Sequence, residues 1–367
     1  MKAARSGVGF VLALLALCGL PARAGMIVEV RDPRQIQQQQ EVIFPHAEVK
    51  IVAFEFESVD NVDRGRQQAK ALHDQFLARI QDVEGAAIVT FVARPGDTVQ
   101  GWRVTVEQTA RQQKAQIAVW GRVYVDPKGV VLTNVRATLI EPPPGISAEY
   151  AATSQLPSGA PVSTRGVIDA PVTQARLDFT TVEGDVSPQA TFLSGLVRYY
   201  KGSVRDGSVA TRWLSSSVRD FETYLKSVNP KSDPSAAAQA HLYIARAQVR
   251  LAAADRTGGA GWLQQARTHA DQAALLNAYS AEAPTAQAVI AAKLDAPVKV
   301  MSEYLSKAIA AAPVDSTARV NAAVLNSARG NFVDATKQLQ NASVMYQASG
   351  KAVPKSVTDL KESIPKH

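Results

Sequence analysis

The chain has 367 residues, of which 46% are hydrophobic and 20% charged. That is too long for one ordinary domain and too apolar for wholesale disorder. Its single cysteine, Cys18, excludes a disulfide framework, a cysteine zinc cluster and a cysteine nucleophile downstream, while a formal charge of +7 raises a nucleic-acid reading that depends on where the charge sits.

Residues 1–24 read as a secretory signal. Lys2 and Arg5 give a positive start, 8–17 is apolar apart from Gly9, and Pro21-Ala22-Arg23-Ala24 supplies a breaker and small residues for cleavage after Ala24. The apolar run is far shorter than the ~20 residues a spanning helix needs. Lipidation at Cys18 is disfavoured because bulky Leu17 precedes it. No later segment is apolar enough to span a bilayer, so the expectation is an exported, periplasmic mature chain.

Residues 25–47 form a polar leader rich in glutamine, with a short edge strand at 41–44. From 48 to 145 the texture is that of an α/β domain with a small mixed sheet. Val49, Ile51 and Ala53 begin a short apolar strand. Ala69, Leu72, Phe76 and Ile80 recur at helical spacing, and 87–93 is a second buried strand. A polar surface helix at 105–114 precedes two strands, 117–125 and 130–140, joined by the turn Asp126-Pro127-Lys128-Gly129. The order is β-α-β-α-β-β. Residues 146–186 are rich in Ser, Thr and Pro and read as a linker or as added strands, at 147–152 and 173–182; added strands are favoured.

At Ser187-Pro188, a capping residue followed by a first-turn proline, alanine takes over and strands vanish. An all-α domain follows over 187–349. Eight helices pair as four hairpins: 189–203 with 210–228, 235–254 with 261–278, 283–294 with 297–312, and 316–329 with 332–348. Pro230, Gly258-Gly259, Pro284, Pro297, Pro313 and Gly330 punctuate them. In the last hairpin Ala322-Ala323 mark a close crossing, Gly330 the turn, and Phe332, Ala335, Leu339 and Ala342 the inner face. Val289, Met301, Leu305 and Ala308 repeat that logic one unit earlier. Ser194-Gly195 and Ala266, Ala270, Ala273 serve the first two hairpins. This pattern resembles the tetratricopeptide repeat, a helix-turn-helix of about 34 residues. Residues 350–367 are a C-terminal tail.

The amino-terminal domain resembles the TolB amino-terminal-like domains. The resemblance is carried by Val49-Lys50-Ile51-Val52-Ala53-Phe54-Glu55-Phe56, by 110–123, where a helix leads into Ile117-Ala118-Val119-Trp120-Gly121-Arg122-Val123, and by Arg136-Ala137-Thr138-Leu139-Ile140-Glu141. It covers 48–141, with Glu141-Pro142 in place of the family's polar ending. It implies envelope assembly and protein contacts, and it brings no catalytic residue.

Chemical motifs are sparse. His46, His73, His241, His269 and His367 are dispersed and fit no metal-ligand spacing, so each reads as a solvated or packed imidazole and no metal or cofactor is expected. Gly258-Gly259-Ala260-Gly261 lacks the strand and lysine of a phosphate loop. The better site is the groove lined by the first helix of each hairpin, where Phe192, Tyr199, Tyr200, Arg246, Arg250 and Lys293 are placed as anchors for an extended acidic or polar peptide. The first function expected is a non-enzymatic scaffold or adaptor binding another envelope protein. Two alternatives stand beside it. One is a glycan binder using Trp102, Trp120 and Tyr124. The other is a hydrolase using Glu55 or Glu57.

The charge reading resolves against nucleic acid. Lys2, Arg5 and Arg23 belong to the signal, and residues 181–367 hold 21 basic and 15 acidic residues spread without a dense run. Export removes nucleic acid as a partner and leaves a mildly basic repeat surface.

Overall fold

The computed structural model describes residues 26–30, 48–58, 62–83, 86–91, 106, 108–110, 113–125, 127–128, 131–139, 176–182, 185–231, 233–255, 258–313, 316–328, 330–348, 353 and 355–364. The signal at 1–24, the strand expected at 41–44 and that at 147–152 lie outside the described residues.

Among the described residues, seven strands form one sheet: β1 (Met26–Val30), β2 (Val49–Phe54), β3 (Glu57–Ser58), β4 (Ala86–Phe91), β5 (Ile117–Val125), β6 (Val131–Leu139) and β7 (Arg176–Val182). The order is β1-β4-β2-β5-β6-β7, with β3 continuing the line of β2 alongside β5. The strands from β1 to β5 are parallel, and β6 and β7 are added antiparallel. The register is regular: Ile51 stands opposite Ile88 on one side and Ile117 on the other. β2 is buried along its length apart from Lys50, and β5 over its first five residues, as expected of parallel strands covered on both faces.

One part of this sheet departs from the sequence reading. Residues 26–30 are a strand on the sheet edge, paired with β4, and not part of a polar leader. Their sequence, Met-Ile-Val-Glu-Val, is β-branched and apolar enough to pair once β4 offers an edge. Residues 176–182 pair with β6 over their whole length.

Helix α1 (Val62–Ile80) carries Ala69, Leu72, Phe76 and Ile80 into the core beneath β2 and β5. The helical half follows as α2 (Ser187–Ser203), α3 (Gly207–Ser227), α4 (Pro234–Ala254), α5 (Gly259–Leu276), α6 (Glu282–Lys293), α7 (Val298–Ala311), α8 (Ser316–Ala328) and α9 (Phe332–Ala348). They pack as the four expected hairpins, and the first helices of successive hairpins, α2, α4 and α6, also adjoin one another. The expected C-terminal tail contains a further helix, α10 (Lys355–Ser363), which caps the array by burying Val357, Leu360 and Ile364 against the last hairpins.

Small residues set the helix crossings. A Cβ on Gly195 would stand 3.0 Å from the Phe221 ring, so the bare α-carbon is what lets α3 close on α2. The Ser217 hydroxyl then donates to the Gly195 carbonyl at 2.8 Å. At the last hairpin Ala323 is fully buried, and Gly330 turns the chain with a positive φ of 74°.

One hydrophobic core runs from Val49 in β2 through α1 into α2, α3 and α4. A polar node closes it where α1 meets α2. The Arg198 guanidinium donates to the Arg79 carbonyl at 2.7 Å and to Asp82 at 2.8 Å, and it pairs with Asp220 on α3. Ser194 donates to the same Asp220 carboxylate at 2.7 Å. Burial pulls the Arg198 pKa down, but the Asp220 and Asp82 carboxylates outweigh it and hold the charge. Glu48, just before β2, accepts from Lys201 at 2.7 Å and also pairs with Arg205.

Gly195→Leu should lower stability by about 1–3 kcal/mol through overpacking. Gly261→Ala, where nothing lies within 4 Å of the new Cβ, should raise it by up to about 1 kcal/mol. Urea midpoints compare the two. Arg198→Leu should cost about 3 kcal/mol by leaving the Asp220 carboxylate without its cation, read as a lower midpoint and faster proteolysis between β7 and α2.

Candidate functional site

Gln239, Tyr243, Arg246 and Arg250 recur on one stripe of α4 at steps of four, three and four residues. A stripe of that polarity is unusual in a helix whose remaining faces bury alanine, leucine and isoleucine. Asp233 starts the helix by accepting from the Ala236 amide at 3.1 Å, with Pro234 in the first turn.

Tyr243 is the hub. Its ring stacks on Phe221 at 5.4 Å and meets the edges of Tyr199 at 5.4 Å and Phe192 at 6.2 Å. Its hydroxyl shares a hydrogen bond with Tyr200. The Arg246 guanidinium lies 5.5 Å from the Tyr243 ring centre and 3.9 Å from Glu282 at the start of α6. Gln239 donates to the same Glu282 oxygen at 3.1 Å. Arg250 lies over Tyr199 and donates to its hydroxyl at 3.3 Å. Burial pushes the Tyr200 and Tyr243 phenols well above the ordinary range, so both remain O–H donors.

Five of the six residues placed in the groove by sequence therefore come together, and Lys293 does not. It is exposed at the end of α6, roughly 16 Å along the helix from Glu282 at 1.5 Å per residue. The character of the five also needs correction. Phe192, Tyr199 and Tyr200 are 0%, 3% and 2% exposed, and Arg246 is 4% exposed. They join α2, α3, α4 and α6 as a packed aromatic and ionic cluster, and are not open anchors. The physical reason is that α4 is flanked by α2 and α6, with β7 packed beside it. Arg250 is half-buried and is the member of the cluster nearest to solvent in character. Tyr243, Gln239 and Glu282 were not singled out in the sequence. The α4 stripe was legible from spacing, but Glu282 belongs to another hairpin and only packing brings it in.

The remaining candidates are engaged elsewhere. Glu55 accepts from Arg66 at 3.0 Å, and Glu57 pairs with Arg122 at 3.4 Å. Each carboxylate is thus held by an arginine of another element, Arg66 of α1 or Arg122 of β5. Trp120 is buried, with Arg136 over its ring at 4.8 Å, and Tyr124 is half-buried. Trp102, His46 and His367 lie outside the described residues. His73 is buried in α1, where burial draws its pKa to about 4 and keeps it neutral. His241 and His269 are brought into contact across α4 and α5. Among the described residues no helix is long and apolar enough to cross a membrane.

No family profile and no curated protein matches the chain. Among solved structures, it is similar to TTC0263, a thermophilic TPR protein of Thermus thermophilus, at 15% identity over 49% of this chain and 89% of that one, with a TM-score of 0.36. It is similar to MamA at 14% identity over 42% and 87%, with a TM-score of 0.29. The TPR2AB domain of yeast Sti1, solved as a complex with pHSP90, is similar at 14% identity over 49% and 70%, with a TM-score of 0.28.

Arg246→Glu should destabilise the fold by about 3 kcal/mol or more, since it sets a second carboxylate beside Glu282 in a buried place. Arg250→Glu should cost about 1 kcal/mol, the order of one hydrogen bond. Thermal melts of the two variants separate a structural arginine from a surface one.

Proposed function

We propose that the protein is a non-enzymatic, exported scaffold of the bacterial envelope that binds another protein through its helical hairpins, which we read as tetratricopeptide-like repeats. The observation that carries this reading is the polar stripe of α4 continued by Glu282 of α6. It keeps charge and phenol groups along the first helices of successive hairpins, where an ordinary bundle would place apolar side chains. The buried members of the stripe hold the helices in register, and the surface beside them is available to a partner. Arg250 and exposed Lys293 lie on those same first helices, and both are cationic, which suits an acidic or polar peptide segment.

The sheet domain is read as TolB-like. Of the residues quoted for that likeness, 49–54 lie in β2, 117–123 in β5 and 136–139 in β6. A module of this kind joined to helical repeats suits assembly rather than turnover. Export rests on the positive start, short apolar run and small-residue cleavage site of residues 1–24.

Two measurements test the reading. Periplasmic material should carry a mature chain beginning at Gly25. Crosslinking capture from envelope extract should return a partner with the wild-type chain and lose it with Arg250→Glu/Lys293→Glu, a variant that keeps the Tyr243, Arg246 and Glu282 contacts and removes from the cluster only the Arg250–Tyr199 contact. An unchanged capture profile in the folded double variant would refute the groove assignment.

A further inference from the structure

His241 on α4 and His269 on α5 are 28 residues apart, yet their Nδ1 atoms stand 2.8 Å from each other. The ring centres are 5.1 Å apart with the planes inclined by 38°. Two bare nitrogen lone pairs repel at that distance, so a proton must lie between them: one ring carries Nδ1–H and donates, and the other accepts. The arrangement ties the two helices of the second hairpin together with a bond made wholly of titratable groups. α4 is also the helix that bears Tyr243, Arg246 and Arg250.

The bond tolerates a first added proton, since an imidazolium still donates to a neutral partner. A second added proton leaves two N–H groups and two positive charges face to face at hydrogen-bond distance. Both rings are half-buried, so water relieves that repulsion only in part. Burial, and then His269, bring the His241 pKa down to about 4, and burial lowers that of His269.

The charged groups of the surrounding elements are either paired with other residues or exposed to solvent. On α5, Asp271 accepts from Gln287 of α6 at 2.6 Å, and Arg267 is exposed. On α6, Glu282 is shared by Gln239 and Arg246. On α4, Asp233 caps the helix and Arg250 binds Tyr199. On α3, Asp220 belongs to Arg198, while Arg219, Glu222 and Lys226 are exposed. Among the described residues, the rings' own partner and their burial are what set their protonation.

We propose that His241 and His269 form a pH-sensitive latch that clamps α4 to α5 at neutral pH and releases that hairpin as the surroundings acidify. The direction follows from linkage. An unfolded imidazole takes up its proton near pH 6.5, and the folded pair does so at lower pH. Between those values the unfolded chain binds more protons. The stability contributed by the neutral pair is therefore present above about pH 6.5 and is lost as the pH falls through the lowered folded values, about 4 for His241.

The test has two arms. Ring resonances in the wild-type protein, followed by NMR from pH 7.5 to 4, should show His241 remaining in the neutral form below pH 5.5 and His269 taking up its proton below the ordinary 6.5. Rings that titrate near 6.5 overturn the proposal, and this arm needs no variant. Unfolding constants over the same range should rise more steeply for wild type than for His241→Leu/His269→Leu, by up to about tenfold per pH unit for each imidazole held neutral. Equal pH slopes in the two proteins overturn it as well. The acid response of His73 and the carboxylates is common to both and cancels in the comparison.

Discussion

The contact on which the rest depends is the guanidinium of Arg198. It reaches three groups on two separate helices and on the turn after α1: the Arg79 carbonyl, Asp82 and Asp220. A planar fork of fixed geometry can satisfy such a set, and a lysine ammonium cannot hold it in the same way. Around it the apolar core passes from the sheet into the first hairpins without interruption. Lys201 and Arg205 add a second ionic tie to Glu48 at the entry to β2. The helical array is therefore built outward from the sheet, with α2 as the shared element.

That junction explains why the aromatic residues of α2 are consumed by packing. A helix that must cover α1 on one side and support α3 and α4 on the others has little surface left to offer. Phe192 meets Phe221 and Tyr224 edge-on at 5.0 and 5.1 Å. Such pairs add about 0.5–1.5 kcal/mol each beyond the area they bury. The phenols of Tyr199, Tyr200 and Tyr243 find partners in Arg250 and in each other. Later hairpins use alanine and leucine at the same crossings and need no such network. The polar cluster thus belongs to the join between sheet and array as much as to any surface.

The helices were legible because each obeys local rules that tertiary contact merely reinforces. Ser187-Pro188, Pro230 and Gly330 mark starts and turns by backbone chemistry, and the apolar spacing of Met301, Leu305 and Ala308 fixes which face is buried. The edge strand β1 and the capping helix α10 were not legible. A five-residue segment or a nine-residue amphipathic one has too few periods to declare itself, and each forms because a neighbouring surface is waiting for it. The histidine contact was missed for a related reason, since nothing in a separation of 28 residues announces two Nδ1 atoms 2.8 Å apart.

The amino-acid sequence by itself determined the division into an α/β part and a helical part, the positions of the four hairpins, and the residue types at their crossings. These are consequences of periodicity, capping and side-chain size, all of which act over a few residues. Only the tertiary structure decided which side of each helix remains open. Burial is a property of what lies opposite, and the rings read as anchors were covered by helices and a strand distant in the chain. It also decided that the glutamates at the strand end are each held by an arginine, and that two ordinary histidines share a proton. Those outcomes depend on distances across the fold, which no local pattern encodes.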